Sequence, residues 1–80
     1  MLFMKVIDIL QRLEQMDQLI RLKATGSPRA FATRLGISKS SLYNYLELLR
    51  MLGGPVQYNQ QLSTFEYEYS VVLQLGFVKK

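Results

Sequence analysis

The stretch Phe31-Ala32-Thr33-Arg34-Leu35-Gly36-Ile37-Ser38-Lys39-Ser40-Ser41-Leu42-Tyr43-Asn44-Tyr45-Leu46 decides the fold of this chain. It reads as two helices joined by a tight turn. Phe31, Ala32 and Leu35 form the inward side of the first helix, and the small Ala32 allows close approach where the two helices cross. Gly36 takes the left-handed conformation that ends a helix at little steric cost. Ser38 then caps the second helix, while Ile37 just before it packs on Leu42 as a hydrophobic staple. Cap and staple together fix the angle at which the second helix leaves the turn, and so where its first turn points.

Upstream, Thr25-Gly26-Ser27-Pro28 carries a stop and a start within four residues. Gly26 suits the end of one helix, Ser27 caps the next, and Pro28 fits the first helical position, so the helix containing Phe31 begins at Pro28 and runs to about Leu35. Before it, no Gly or Pro occurs from Phe3 to Ala24, and Val6, Ile9, Leu13, Met16 and Ile20 recur in steps of three and four. That is the stripe of an amphipathic helix. Ile7, Leu10, Leu19 and Leu22 widen the stripe beyond one seam, which gives this helix a second surface for a dimer partner.

Downstream, Leu42, Leu46, Leu49 and Leu52, with Tyr45 at the margin, line one face of the third helix up to Gly53. Ser40, Tyr43, Asn44 and Glu47 occupy the opposite face, with Lys39 and Arg50 at its edge. After Gly53-Gly54-Pro55 the period changes to two: Val56 and Tyr58 mark a short strand, and 59–64 a polar loop. Phe65, Tyr67, Tyr69, Val71, Leu73, Leu75 and Phe77 then fill every second position. This run is too long for an average strand. It is either two strands bent near Ser70 or one long strand whose far half pairs with another subunit. The expected fold is α+β, a single domain over 1–80 with three helices followed by a β-hairpin and, if the run bends, a third strand.

Eighty residues bury only roughly 60% of the surface exposed by the unfolded chain. The 49% hydrophobic content, with five tyrosines and four phenylalanines, supplies one small core. There is no cysteine and no histidine. Disulfides and thiolate metal sites are therefore excluded, and the usual general base is missing, so neither an enzyme nor a cofactor-bearing protein is expected. The apolar opening Met1-Leu2-Phe3-Met4 is interrupted by Lys5 and Asp8, too early for a signal sequence or a membrane span, and a cytoplasmic location without a membrane partner is the expectation.

The charge is unevenly spread. Between residues 21 and 50, Arg21, Lys23, Arg29, Arg34, Lys39 and Arg50 face the single acid Glu47, a local excess larger than the +4 of the whole chain. Such concentration is the electrostatic footprint of a nucleic-acid surface.

Leu35-Gly36-Ile37-Ser38, the regular leucines from Leu42 to Leu49, Leu52-Gly53-Gly54-Pro55-Val56, Tyr58-Asn59 and Phe65-Glu66-Tyr67 together give residues 27–67 a family likeness. This stretch resembles the winged helix-turn-helix module of bacterial transcriptional regulators of the DeoR and WYL-domain type. The resemblance implies a winged helix-turn-helix fold, duplex DNA as partner and a role in transcription regulation. Asn44-Tyr45 stands where that family commonly has Arg-Asp, so its base contacts do not carry over, and the loop 59–64 is polar where the family's wing is often basic.

The candidate DNA-binding residues are Arg29, Ser38, Lys39, Ser40, Ser41, Tyr43 and Asn44. A recognition helix exposes its first two turns to the major groove, and the helix before it crosses the phosphate backbone near Arg29. Asn44 has the bidentate geometry for adenine, and Tyr43 can stack on a sugar or bond a phosphate. A homodimer is expected, because symmetry doubles the few contacts one small module makes. No small-molecule effector is indicated. A second reading keeps the scaffold as a protein-interaction module that has lost DNA binding, given Glu66 and Glu68 beside the hairpin.

Overall fold

Residues 2–80 are described by a computed structural model, with side chains from Lys5 onward. The apolar opening Met1–Met4 therefore lies outside the described side chains. Three helices precede a two-stranded antiparallel sheet: α1 (Leu2–Arg21), α2 (Pro28–Leu35), α3 (Lys39–Met51), β1 (Val56–Asn59) and β2 (Thr64–Tyr67).

The local signals act where the sequence places them. The Ser27 side chain accepts from the Ala30 amide, Pro28 opens α2, and Gly36 closes it at φ 70°. The Ser38 side chain accepts from the Ser41 amide and opens α3. α1 stops at Arg21, three residues short of the Gly- and Pro-free limit at Ala24. Lys23 takes the left-handed region at φ 54°, and the Ala24 amide reaches back to the Leu19 carbonyl at 2.9 Å. That reverse bond satisfies a carbonyl the helix end would otherwise leave open.

The core is one cluster drawn from all five elements: Leu13, Met16 and Ile20 of α1, Phe31 and Leu35 of α2, Leu42, Leu46 and Leu49 of α3, Val56 of β1 and Phe65 of β2. Phe31 has no exposed surface, and its ring stands 5.7 Å from that of Phe65, which in turn meets Tyr58 edge-on at 4.9 Å. Two residues expected in the core are outside it. Val6 is 48% exposed and Leu52 55%. Val6 lies in the first half of α1, which runs past the rest of the domain, and Leu52 follows the last turn of α3, where the chain turns away through Gly53 at φ 101°.

Polar groups dock the hairpin on the helices. Thr25, between α1 and α2, and Thr64 of β2 are both 2% exposed, and their hydroxyls lie 3.0 Å apart. The Phe65 amide donates to the Thr25 Oγ1 at 2.8 Å, and the Thr25 amide donates to the Thr64 Oγ1 at 3.3 Å. On α1, Asp17 is also 2% exposed, accepting from the Tyr67 hydroxyl at 2.6 Å and from Arg21 Nε at 2.9 Å. Thr25, Thr64 and Asp17 each have a partner from another element or from their own helix, the condition under which burial is tolerated, whereas the buried Arg12 Nε has none.

The alternating run from Phe65 to Phe77 contradicts its sequence signal. β2 pairs with β1 only through Tyr67, in the register Val56↔Tyr67 to Asn59↔Thr64, and 68–80 contain no strand. Among the described residues there is neither a third strand nor one long strand. β1 begins at Val56, opposite Tyr67, so after the bond from the Glu68 amide to the Pro55 carbonyl the residues beyond have no strand to pair with, and alternation without a partner does not make a ladder. Val71, Leu73 and Leu75 are half-buried on the domain, whereas Tyr69, Val72 and Phe77 are exposed.

Replacing Thr25 by valine keeps the shape but removes the acceptor for the Phe65 amide. It is expected to lower unfolding free energy by about 1–3 kcal/mol in urea denaturation, against under about 0.5 kcal/mol for Thr33→Val on the exposed face of α2. Burial, and secondly the hydrogen bond to Asp17, push the Tyr67 phenol well above its ordinary value. An unfolded phenol ionises near pH ~10, so the stability from this shift is complete below that pH. It is lost as pH rises through the folded value. The denaturation midpoint of the wild type should therefore fall more steeply above about pH 10 than that of Tyr67→Phe.

Candidate nucleic-acid interface

α3 presents one polar arc to solvent. Ser40, Tyr43, Asn44 and Glu47 are exposed, and the helical period puts them on one side of the helix away from the buried Leu42, Leu46 and Leu49, with the exposed Lys39 at the edge of that arc beside Leu46. The first turn carries the strongest donors. The Leu42 amide closes on the Ser38 carbonyl at 2.9 Å and the Ser41 amide on the Ser38 side chain at 3.1 Å. The amides of Lys39 and Ser40 have no acceptor within the helix and point outward from its positive end. With the Lys39 ammonium beside them, they form a site suited to one phosphate-sized anion.

Six of the seven residues read from sequence thus gather at the start of α3, and the seventh, Arg29, stands exposed in the first turn of α2, the helix packed against α3. Ser38 and Ser41 have a different duty from the other four. Their hydroxyls bond each other at 3.1 Å while Ser38 caps the helix, so both hold the N-terminus in shape.

Folding sorts the basic block in a way no spacing shows. Arg21 pairs with Asp17 at 2.9 Å, Lys23 approaches Glu66 at 4.0 Å, and Arg50 lies 3.6 Å from Glu47 while its Nε donates to the Val56 carbonyl at 3.2 Å. Arg34 donates to the Ala24 carbonyl at 3.4 Å. Among the described residues, Arg29, Arg34 and Lys39 are the cations of this block without an acidic partner. Of these, Arg29 and Lys39 occupy the first turns of α2 and α3, where the helix dipole disfavours a cation by a few tenths of a kcal/mol. An anion bound there removes that cost.

The hairpin offers little charge. Glu66 is held below the ordinary carboxylate range by the Gln57 side chain first, then Asn59, with Lys23 a further contribution. The loop 60–63 is exposed and polar apart from Leu62, and Asn59 orders it by accepting from the Leu62 amide at 3.0 Å. Among the described residues no group of three or more acidic side chains stands placed to hold a metal ion, and no helix is long and apolar enough to cross a membrane.

Comparison with protein-family models, with curated proteins and with solved structures finds no match for this chain. The site is therefore argued from its own geometry.

Ser38→Ala is expected to cost about 1 kcal/mol of stability through the lost cap, whereas Ser40→Ala should change it by under about 0.5 kcal/mol. Paired urea denaturation curves separate the two roles. Equal costs would mean that Ser38 does not cap α3 in solution.

Proposed function

We propose that this chain is a duplex-DNA-binding protein of winged helix-turn-helix architecture, acting as a small transcriptional regulator. In this reading α3 enters the major groove with Lys39, Ser40, Tyr43 and Asn44 toward the bases and phosphates. Arg29 contacts the backbone from the start of α2, and the β1–β2 hairpin serves as the wing. Two copies bind a two-part site.

The observation that carries the reading is that Arg29 and Lys39, in the first turns of α2 and α3, have no acidic partner among the described residues, whereas Arg21, Lys23 and Arg50 are matched by acids. Positive charge at a helix N-terminus is unfavourable within the chain and favourable only toward an external anion. Phosphate contacts of this kind position a protein, while the exposed Asn44 and Tyr43 one turn further on supply groups able to read base edges. The quiet hairpin fits a wing that touches DNA by hydrogen bonds from its polar loop rather than by charge.

Binding to a random duplex of about 30 base pairs, followed by fluorescence anisotropy, tests the proposal. If two copies together neutralise roughly six to ten phosphates, affinity falls about 10³- to 10⁵-fold between 50 and 200 mM salt. Arg29→Ala with Lys39→Ala should abolish measurable binding without loss of fold. Absence of binding at low salt would refute the proposal and direct the search to protein partners of the same scaffold.

A further inference from the structure

The residues from 69 to 80 lie outside the sheet, with a bend at Gly76 where φ is 90°. The Glu68 amide donates to the Pro55 carbonyl at 2.8 Å, and among the described residues no backbone hydrogen bond is made beyond it. Yet this segment has the composition of a strand, with Tyr69, Val71, Leu73, Leu75 and Phe77 alternating against Ser70, Val72, Gln74 and Gly76. Its odd residues Val71, Leu73 and Leu75 already lean on the domain. Below it lies a groove of about 340 Å³, lined among others by Leu49, Leu52, Tyr67, Val71 and Leu75, while Phe77 stands fully exposed.

We propose that 68–80 extend through Gly76 on meeting a second copy of this chain and pair as antiparallel strands with its same segment, about a two-fold axis at Gln74. The proposal deepens the two-copy part of the function above and rests on it. Two observations select this register, and a third, taken over the whole chain, fits a second copy. The first is charge: with Gln74 opposite itself, Glu68 falls opposite Lys80, and neither is in an ion pair among the described residues. Each two-fold ribbon would make that pairing twice, as an isologous interface requires. Secondly, odd residues stay opposite odd residues. Phe77 of the second copy then comes opposite Val71, on the face that meets the groove, and Leu73 comes opposite Leu75.

The third observation is area. The chain exposes 5935 Å², whereas a compact monomer of its 9.3 kDa mass exposes about 5,000 Å². The excess is comparable with the ~800 Å² that each partner buries in a standard interface. The radius of gyration, 12.7 Å, likewise exceeds the roughly 11.6 Å of a compact chain of this length.

Sedimentation velocity of the full chain without DNA tests the pairing apart from the DNA reading. A species of twice the chain mass is expected. Glu68→Lys or Lys80→Glu alone should weaken it roughly tenfold by setting like charges opposite each other, and the two together should restore it. Gln74→Pro should leave a folded monomer, since it removes a donor that the isolated domain does not use. A monomeric wild type would overturn the proposal, as would a dimer indifferent to all these changes. Neither result would touch DNA contact by α3, because Arg29 and Lys39 lie outside the segment. Conversely, loss of DNA binding in their alanine variants should leave the mass unchanged.

Discussion

The buried hydroxyl pair of Thr25 and Thr64 ties the hairpin to the helices, and much of the architecture depends on it. A two-stranded hairpin is marginal by itself in water. Here its β2 strand is anchored at one end by Thr64 and Phe65 on the α1–α2 connection and at the other by Tyr67 on Asp17. Between those anchors Phe65 reaches Phe31, the residue around which α2 is built. The same few residues therefore fix the connection before α2, the placement of α2 and the direction of the hairpin. Since α3 packs on α2, its exposed first turn is held by an interior that is apolar at the centre and hydrogen-bonded at the rim.

That interior also arranges charge. Asp17 is kept buried by Tyr67 and Arg21, Glu66 is held by Gln57, Asn59 and Lys23, and Glu47 stands near Arg50. Acids are thus spent on cations at helix ends and at the hairpin, and the starts of α2 and α3 are left positive.

Much of this was legible in the residues. Ser27-Pro28, Gly36 and Ser38 act through bonds to neighbours three or four positions away, so their effect is written in the local sequence, and α2 and α3 form where those signals stand. The leucines of α3 and the stripe Leu13, Met16, Ile20 were equally readable from their period. What depends on distant partners was not. Asp17 and Tyr67 are fifty positions apart, and Thr25 and Phe65 forty, so nothing in their spacing announces a bond. Val6 and Leu52 keep the helical period but lie where their element outruns the core. The run after Tyr67 has the pattern of a strand without a neighbour in the chain, because periodicity reports which face is apolar and says nothing of who pairs with it. At the candidate interface, position in α3 named the residues, but only the folded chain separates Ser38 and Ser41, which bond each other, from Lys39 and Ser40, which are exposed and make no such bond.

The central claim, that the starts of α2 and α3 form a DNA surface, is tested most directly by amide chemical-shift mapping of the labelled protein during titration with duplex DNA. The account predicts that the largest shifts fall on 28–30 and 39–44, led by the uncapped amides of Lys39 and Ser40, with smaller ones in the hairpin loop. Shifts confined to 68–80 or to the first half of α1, or none at concentrations where a random duplex should bind, would contradict it.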